Sequence, residues 1–282
     1  VSAVELFIER AQRLPAAPTV VLKVLRLTRD PETSAEAVAE LVRREPTLSA
    51  RLLTLANSAF FGMRGRVDTA RRAVVVLGFK TVASMAMVVW THTLCLSTKD
   101  RSLHAIYRQL FKHGLAVAVL ARDLTSRVDP AGGETAFQAG LLHDIGRVAL
   151  CAELGASYWE EVLELSRGGP DDAELAERRR LAFDHAEMGG ALMLHWGLPS
   201  SLVEAAAAHH ELTIPPTQDV VTRSVALGNL LARSQGWDLL PPQADTPRGD
   251  ALEQFGLGDQ EDLERFLAAS GHHLGDLVAS VS

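Results

Sequence analysis

The chain has 282 residues, 47% of them apolar, and a formal net charge of −7. That is enough sequence for one large or two medium domains with real cores, and it argues against disorder and against a general nucleic-acid binder. The only two cysteines, Cys95 and Cys151, show no CxxC spacing; they argue against a disulfide framework or a zinc ribbon and fit a reducing cytosol. No signal peptide stands near Val1, and the longest apolar run, Val82 to Trp90, is interrupted by Ser84 and too short to span a bilayer. The expectation is a cytoplasmic chain with no membrane partner.

Apolar residues recur at helical spacing throughout and no run alternates as a strand would, so the expected fold class is all-α. Val4 to Leu14 reads as a short helix. The LPAAP turn follows, with Pro18 at the first position of a helix whose apolar face holds Val20, Val21, Val24, Leu25 and Leu27. Thr33 with Glu36 forms a capping box for a helix to about Arg44. Pro46 opens the next, with Leu48, Leu52, Leu53 and Leu55 inward and its stop near Asn57; Phe60 and Phe61 follow as core anchors. Asp68 or Thr69 caps a helix that ends at Gly78, and Lys80 to Leu96 is a long apolar helix central to its lobe. The polar stretch Ser97 to Ser102 is the expected boundary between two helical lobes, 1–99 and 100–282.

The second lobe opens on a helix carrying Tyr107, Leu110, Phe111, His113 and Ala118. After a loop at Asp129 to Gly133 comes Gly140 to Leu150, GLLHDIGRVAL, read as one buried helix with His143 and Asp144 inside an apolar run. Tyr158 to Ser166 is amphipathic, and Arg178, Arg179 and Arg180 read as a solvated face. His185 opens a helix that stops at Gly197, Pro199 starts the helix that delivers His209 and His210, and Val220 to Ser234 holds Asn229. Gln235 to Pro247 is loop-like, and two short helices, about Leu263 to Ala269 and Leu274 to Ala279, close the chain.

A buried carboxylate at Asp144 is costly unless it is paired, hydrogen-bonded or bound to a metal. His113, His143, His185, His209 and His210 can be drawn around it. Imidazole and carboxylate are standard ligands of Zn, Fe and Mn. Two metals bridged by one carboxylate can hold a hydroxide and clamp a phosphate, which suits phosphoester hydrolysis, and Asp144 is the natural bridge. Adjacent His209 and His210, about a quarter-turn apart on a helix, can embrace one ion from two sides. Taken singly, each histidine also has a structural reading, as a helix cap or a polar helix end. The two helices joined at Arg44-Glu45-Pro46 resemble a helix-turn-helix, with Arg64, Arg66, Arg71, Arg72 and Lys80 nearby, but the second is leucine-rich as a core helix would be.

Over nearly its whole length the chain resembles the HDOD family, the HD-related output domains of bacterial signalling proteins. The matching pieces are LPAAP, EPTLSARLLTLANSAFFG, the Ala73 to Gly78 segment, KHGLAVAVLAR, AGLLHDIGRVAL, FDHAEMGGALMLHWGLP and AAHHE. The resemblance implies an HDOD-specific N-terminal bundle and a C-terminal bundle like the HD phosphohydrolases. Compared with the HD-GYP phosphodiesterases, which cleave cyclic diguanylate, it implies His113, His143 and Asp144 as ligands of one metal and Asp144, His185, His209 and His210 as ligands of the other. Three departures stand out. Asn229 occupies the place of an expected Asp, Arg147 that of a lysine, and LTIPP rather than a GYP triplet follows Glu211. An amide is a weaker ligand than a carboxylate, and Arg147 can bind a phosphate but cannot act as a base. The resulting expectation is a regulatory protein acting through protein partners or fused signalling domains. Its HD site is degenerate, with one divalent ion (Fe, Mn, Zn or Ni) at most and no assigned catalytic residue. A metal-dependent phosphohydrolase acting on a nucleotide or cyclic dinucleotide stays open as an alternative, and a DNA-binding regulator is the third reading.

Overall fold

The structure is a computed structural model and describes residues 2–11, 13–16, 19–27, 30, 32–58, 60, 65–98, 100–165, 170–211, 219–237 and 249–281, without the side chains of 170–173. Pro18, Phe61, Arg64, Ser166, the LTIPP segment and most of the proline-rich stretch lie outside the described residues. Among the described residues every regular element is an α-helix and no strand occurs. The chain divides into two compact units, Val1–Ala16 with Cys95–Phe266, and Ala17–Leu94 with Leu267–Ser282. This division lies near the polar break at Ser97 but groups the chain ends differently from a cut at 99/100.

The unit built on Ala17–Leu94 holds α2 (Thr19–Leu27), α3 (Ala35–Arg43), α4 (Pro46–Ala56), α5 (Ala70–Leu77) and most of α6 (Phe79–Leu96). The latter part of α16 (Gln260–Val281) joins it, through Arg51 Nη1 donating to the Val281 carbonyl at 3.3 Å and Phe60 meeting the His273 ring edge-on at 6.3 Å. Residues 260–281 form one helix, not two short ones, and buried Ser270 and Leu277 fall on its inner side. The capping residue of α3 is Ser34 rather than Thr33. Ser34 is extended and accepts from the Ala37 N–H at 3.2 Å, while the Glu36 carboxylate goes to Arg43 and Arg71 instead. Thr69 caps α5, and Gly78, with φ 80°, ends it. Leu48, Leu52 and Leu55 of α4 are buried, so the helix that would have to read bases is a core helix. Among the described residues α6 alone is, by length and composition, long and apolar enough to cross a membrane; more than half of it is buried, and a core helix has the same length and composition.

The other unit is built around α7 (Arg101–Val128), whose stretch from His113 to Ala121 is buried throughout. Against it pack α8 (Gly133–Leu142) and α14 (Val220–Ser234), and α9 (Ile145–Leu154), α12 (His185–His195) and α13 (Ser200–Ala207) complete the layer that surrounds the HD residues. The unit also contains α10 (Ala156–Leu165), α11 (Pro170–Leu181) and α15 (Gly249–Glu253). Helix α1 (Ala3–Arg10) joins it by packing on α12, with Phe7 edge-on to Phe183 at 5.4 Å.

The stretch Gly140 to Leu150 is not a single helix. α8 stops at Leu142, and Asp144, with φ −97° and ψ 17°, is the N-cap residue of α9. This break turns Asp144 out of the helical register, to the N-terminal end of α9, where the helix dipole favours a carboxylate. Two glycines set the packing. A methyl group on Gly140 would lie 2.8 Å from the Ala118 Cα of α7. One on Gly146 would overlap the His185 carbonyl oxygen and lie 2.7 Å from the Gly189 nitrogen, both on α12. Gly146→Ala must therefore push α9 from α12, and it is expected to destabilise the protein by about 1–3 kcal/mol or more, as overpacking does. Gly249→Ala, whose methyl would meet nothing within 4 Å, should stay within about 0.5 kcal/mol of the parent. Urea unfolding of the two variants checks the contrast.

Candidate metal centre

All seven residues proposed as metal ligands from the sequence converge in one unit. α7 carries His113, the α8–α9 break carries His143 and Asp144, α12 begins with His185, and α14 carries Asn229. His209 and His210 lie not on α13 but in the turn just after it. The turn lets both rings face inward, with centroids 4.0 Å apart.

Asp144 stands in the middle, and its two oxygens face two groups. Oδ2 is 3.7 Å from His143 Nε2 and 4.0 Å from His113 Nε2, whereas Oδ1 is 3.5 Å from His185 Nε2 and 3.6 Å from His209 Nε2. These separations exceed hydrogen-bond length. Arg147 Nε, one turn along α9, donates to Oδ1 at 3.1 Å. Burial works to raise the Asp144 pKa, but the Arg147 charge and the facing His143 overcome it and hold the group well below the usual carboxylate range.

The outer ring nitrogens define what the inner ones can do. His143 Nδ1 lies 2.7 Å from the Gly140 carbonyl and His209 Nδ1 lies 2.6 Å from the Ala206 carbonyl. A carbonyl only accepts, so each Nδ1 carries the proton and each Nε2 presents a lone pair. Both Nε2 atoms are buried and have no hydrogen-bond partner. Burial also holds His143 and His209 below the ordinary imidazole value, the former well below it, which favours the neutral, ligating form.

His185 and His210 are oriented by carboxylates that the sequence reading did not single out. His185 Nδ1 lies 2.6 Å from Glu177 Oε2, which also accepts the His185 backbone N–H at 2.9 Å. The Tyr158 hydroxyl donates to the other Glu177 oxygen at 2.5 Å. Burial alone would raise the Glu177 pKa, but the His185 charge and these hydrogen bonds bring it down to about 2. His210 Nδ1 lies 2.8 Å from Glu174 Oε1. The two Nε2 atoms then face each other at 2.8 Å. Two lone pairs at that distance repel, so a proton or a cation must lie between them. Burial and Arg147 lower the His185 pKa, but Glu177 reverses the balance and raises it; burial, with the His209 and His185 imidazoles alongside, puts His210 well below the usual value.

The group around His113 differs. Its Nδ1 is 2.9 Å from the Trp237 carbonyl and its Nε2 is 3.1 Å from Asn229 Oδ1. With Nδ1 donating to Trp237, Nε2 is the acceptor, and only an amide turned to present its NH2 group, or a cation, suits it there. A carboxylate at 229 could not donate. Arg147 itself is pinned by Asp144 and stands 5.6 Å from the centre of the Trp159 ring.

The donor set fits a divalent cation. The ligand atoms of His185, His209 and His210 lie within 4.8 Å of one another, as do those of His113, His143 and Asp144. A cluster of purely structural histidines would satisfy every ring, and here two buried lone pairs converge on a carboxylate instead. Glu174 and Glu177, spaced i, i+3 on α11, are the outer carboxylates that metal-binding histidines commonly use.

The HDOD domain family matches residues 14–212. A relative from Treponema pallidum (strain Nichols), described only as an uncharacterized protein, is 25% identical over 236 residues, or 80% of this chain and 43% of that protein. This chain therefore spans less than half of that relative's length. An HDOD domain protein with unknown function from Geobacter sulfurreducens has a similar structure, with a TM-score of 0.79 and 22% identity, covering 99% of this chain and 96% of that one. A protein described as a candidate metal-dependent phosphohydrolase from Shewanella amazonensis SB2B gives a TM-score of 0.70 at 20% identity, covering 99% and 95%. At these identities the structural likeness shows the fold alone.

The two groups should differ in a metal titration. One equivalent of Zn2+ or Mn2+ is expected to bind the parent chain. His209→Ala should reduce that affinity by at least about 10–100-fold, and His113→Ala should change it far less. Titration calorimetry with elemental analysis measures both, and the opposite dependence would place the ion in the His113 group.

Proposed function

Because the chain belongs to the HDOD family, we propose that it is a signalling protein that works through protein partners or fused signalling domains and not through efficient hydrolysis. The observation that carries this reading is the shortage of carboxylates. Asp144 is shared by both groups, and Asn229 stands at His113 where a second charge would be needed. A two-metal hydrolase uses its ions to generate a hydroxide and to clamp both oxygens of an in-line displacement. With one carboxylate and a pinned guanidinium, the His113 group is a poor cation site, whereas the His185, His209 and His210 group keeps its full donor set.

The chain's own residues then have structural roles around one site. Asp144 receives Arg147 and faces the imidazoles, His143 and His209 hold their lone pairs inward, and His185 and His210 are fixed from outside by Glu177 and Glu174. A divalent ion bound there would act as a cross-link between α9, α12 and the turn after α13.

Space supports the same reading. The pocket beside the cluster is lined by His113, Asp144, Arg147, Trp159, His210, Asn229 and Arg233 and has room for about one water molecule, so a cyclic dinucleotide would need the helices to part. The alternative of a phosphohydrolase rests on the convergence of the HD residues and on Arg147 as a phosphate contact. DNA recognition has little to rest on, since Leu48, Leu52 and Leu55 of α4 are buried and Arg71 is paired with Glu36.

Hydrolysis of cyclic diguanylate by the parent chain, Asn229→Asp and Asp144→Ala, each with Mn2+ or Fe2+ supplied, tests the proposal. The parent is expected to show negligible turnover, and Asn229→Asp to raise metal stoichiometry toward two. Metal-dependent turnover by the parent that disappears in Asp144→Ala would promote the hydrolase reading.

A further inference from the structure

Helix α11 is held in an unusual way. Its sequence, PDDAELAERRRL, is polar on all sides. A helix of that kind has no apolar stripe to bury and depends on other contacts. Among its described side chains Glu177 alone is buried, while Leu175, its large aliphatic residue before the C-terminal turn, is 46% exposed.

α11 packs beside α10, and its inner polar contacts end on the candidate metal ligands. Glu174 meets His210 Nδ1 at 2.8 Å and Glu177 meets His185 Nδ1 at 2.6 Å. Glu177 further takes the Tyr158 hydroxyl and the His185 backbone N–H. Of the outer contacts, Arg180 with Glu161 is an exposed pair of the kind that contributes little, whereas Arg178 joins the buried carboxylate of Asp184, the N-cap residue of α12. Between α11 and α12 the chain turns sharply at Ala182, whose φ of 65° lies in the left-handed region, and so returns His185 to within reach of Glu177.

The geometry points to α11 as a metal-responsive clamp, in which Glu174 and Glu177 are positioning residues that join the docking of α11 to the filling of the His185, His209 and His210 group. This rests on the single-ion reading given above. The physical link is the imidazole ring itself. Each carboxylate fixes the proton on Nδ1 and so makes Nε2 the ligand atom, and an ion on Nε2 polarises the ring and strengthens the Nδ1–H···carboxylate bond in return. Coupling of this kind is reciprocal: if the docked helix raises metal affinity, the metal must stabilise the docked helix by the same factor.

The test is hydrogen–deuterium exchange on the full chain, followed in peptides covering residues 170–184, with chelator and then with Zn2+ at about 100 times its Kd. Metal binding by the parent, Glu174→Gln and Glu177→Gln is measured in parallel by calorimetry. Zn2+ is expected to slow exchange in α11 of the parent by about tenfold or more. Both variants are expected to bind Zn2+ about 10–100-fold more weakly. If Glu177→Gln alters the circular dichroism spectrum, Glu174→Gln, on a part-exposed side chain, decides. Zn2+ bound by the parent with unchanged exchange in α11, or bound equally by the interpretable variants, would overturn the clamp while leaving the single-ion reading intact. No Zn2+ binding by the parent would overturn both.

Discussion

The carboxylate of Asp144 is the constraint on which the rest of the second unit depends. It faces His113, His143, His185 and His209 within 4.0 Å and receives Arg147 at 3.1 Å. A charge so placed, with only 12% of its side chain accessible, needs positive charge and dipoles around it. The break between α8 and α9 supplies a helix N-terminus, and Arg147 one turn on supplies a cation. The close approach of α9 to α12, possible because residue 146 lacks a side chain, brings His185 to the same carboxylate. The helices are therefore positioned by packing and the imidazoles by backbone carbonyls and outer carboxylates. The inner nitrogens are left facing one point.

The inner partner separates the two halves of the cluster. All five histidines have a carboxylate or a backbone carbonyl on the outer nitrogen. Where the inner partner is Asn229, the histidine already has a neutral neighbour of its own. One amide in place of one carboxylate thus changes both the charge available to a cation and the hydrogen-bond role of His113. The proposed regulatory reading rests on this shortage of negative charge at His113.

Much of this was legible in the sequence because it is local. Helical periodicity gave the fold class, and α14 begins and ends at Val220 and Ser234, where the pattern and polar flanks place it. Gly78 and Gly197 stop their helices at positive φ. The candidate ligands were legible as residue types in an apolar setting. What was not legible is set by tertiary structure. The apolar run through His143 and Asp144 reads as one helix because its interruption comes from packing on α12, which leaves no proline or turn signal. The capping role went to Ser34 because two adjacent residues could both cap. Residues 260–281 continue as one helix through Gly271 and Gly275, which the sequence offers as breaks. Glu174 and Glu177 were hidden in a polar, charge-rich helix, and their i, i+3 spacing is the one signal that could have marked them as facing the same way.

The most direct measurement is of the histidine tautomers. Long-range 1H–15N correlation spectra of the metal-free protein labelled at its histidine ring nitrogens report which nitrogen of His143 and His209 carries the proton, with single-residue replacements to assign them. The account requires Nδ1 to be protonated and Nε2 to be bare in both, and it requires the Nε2 resonance of His209 to shift when Zn2+ is added. Protonation at Nε2 in either ring, or spectra that Zn2+ leaves unchanged, would contradict the convergence of lone pairs on Asp144.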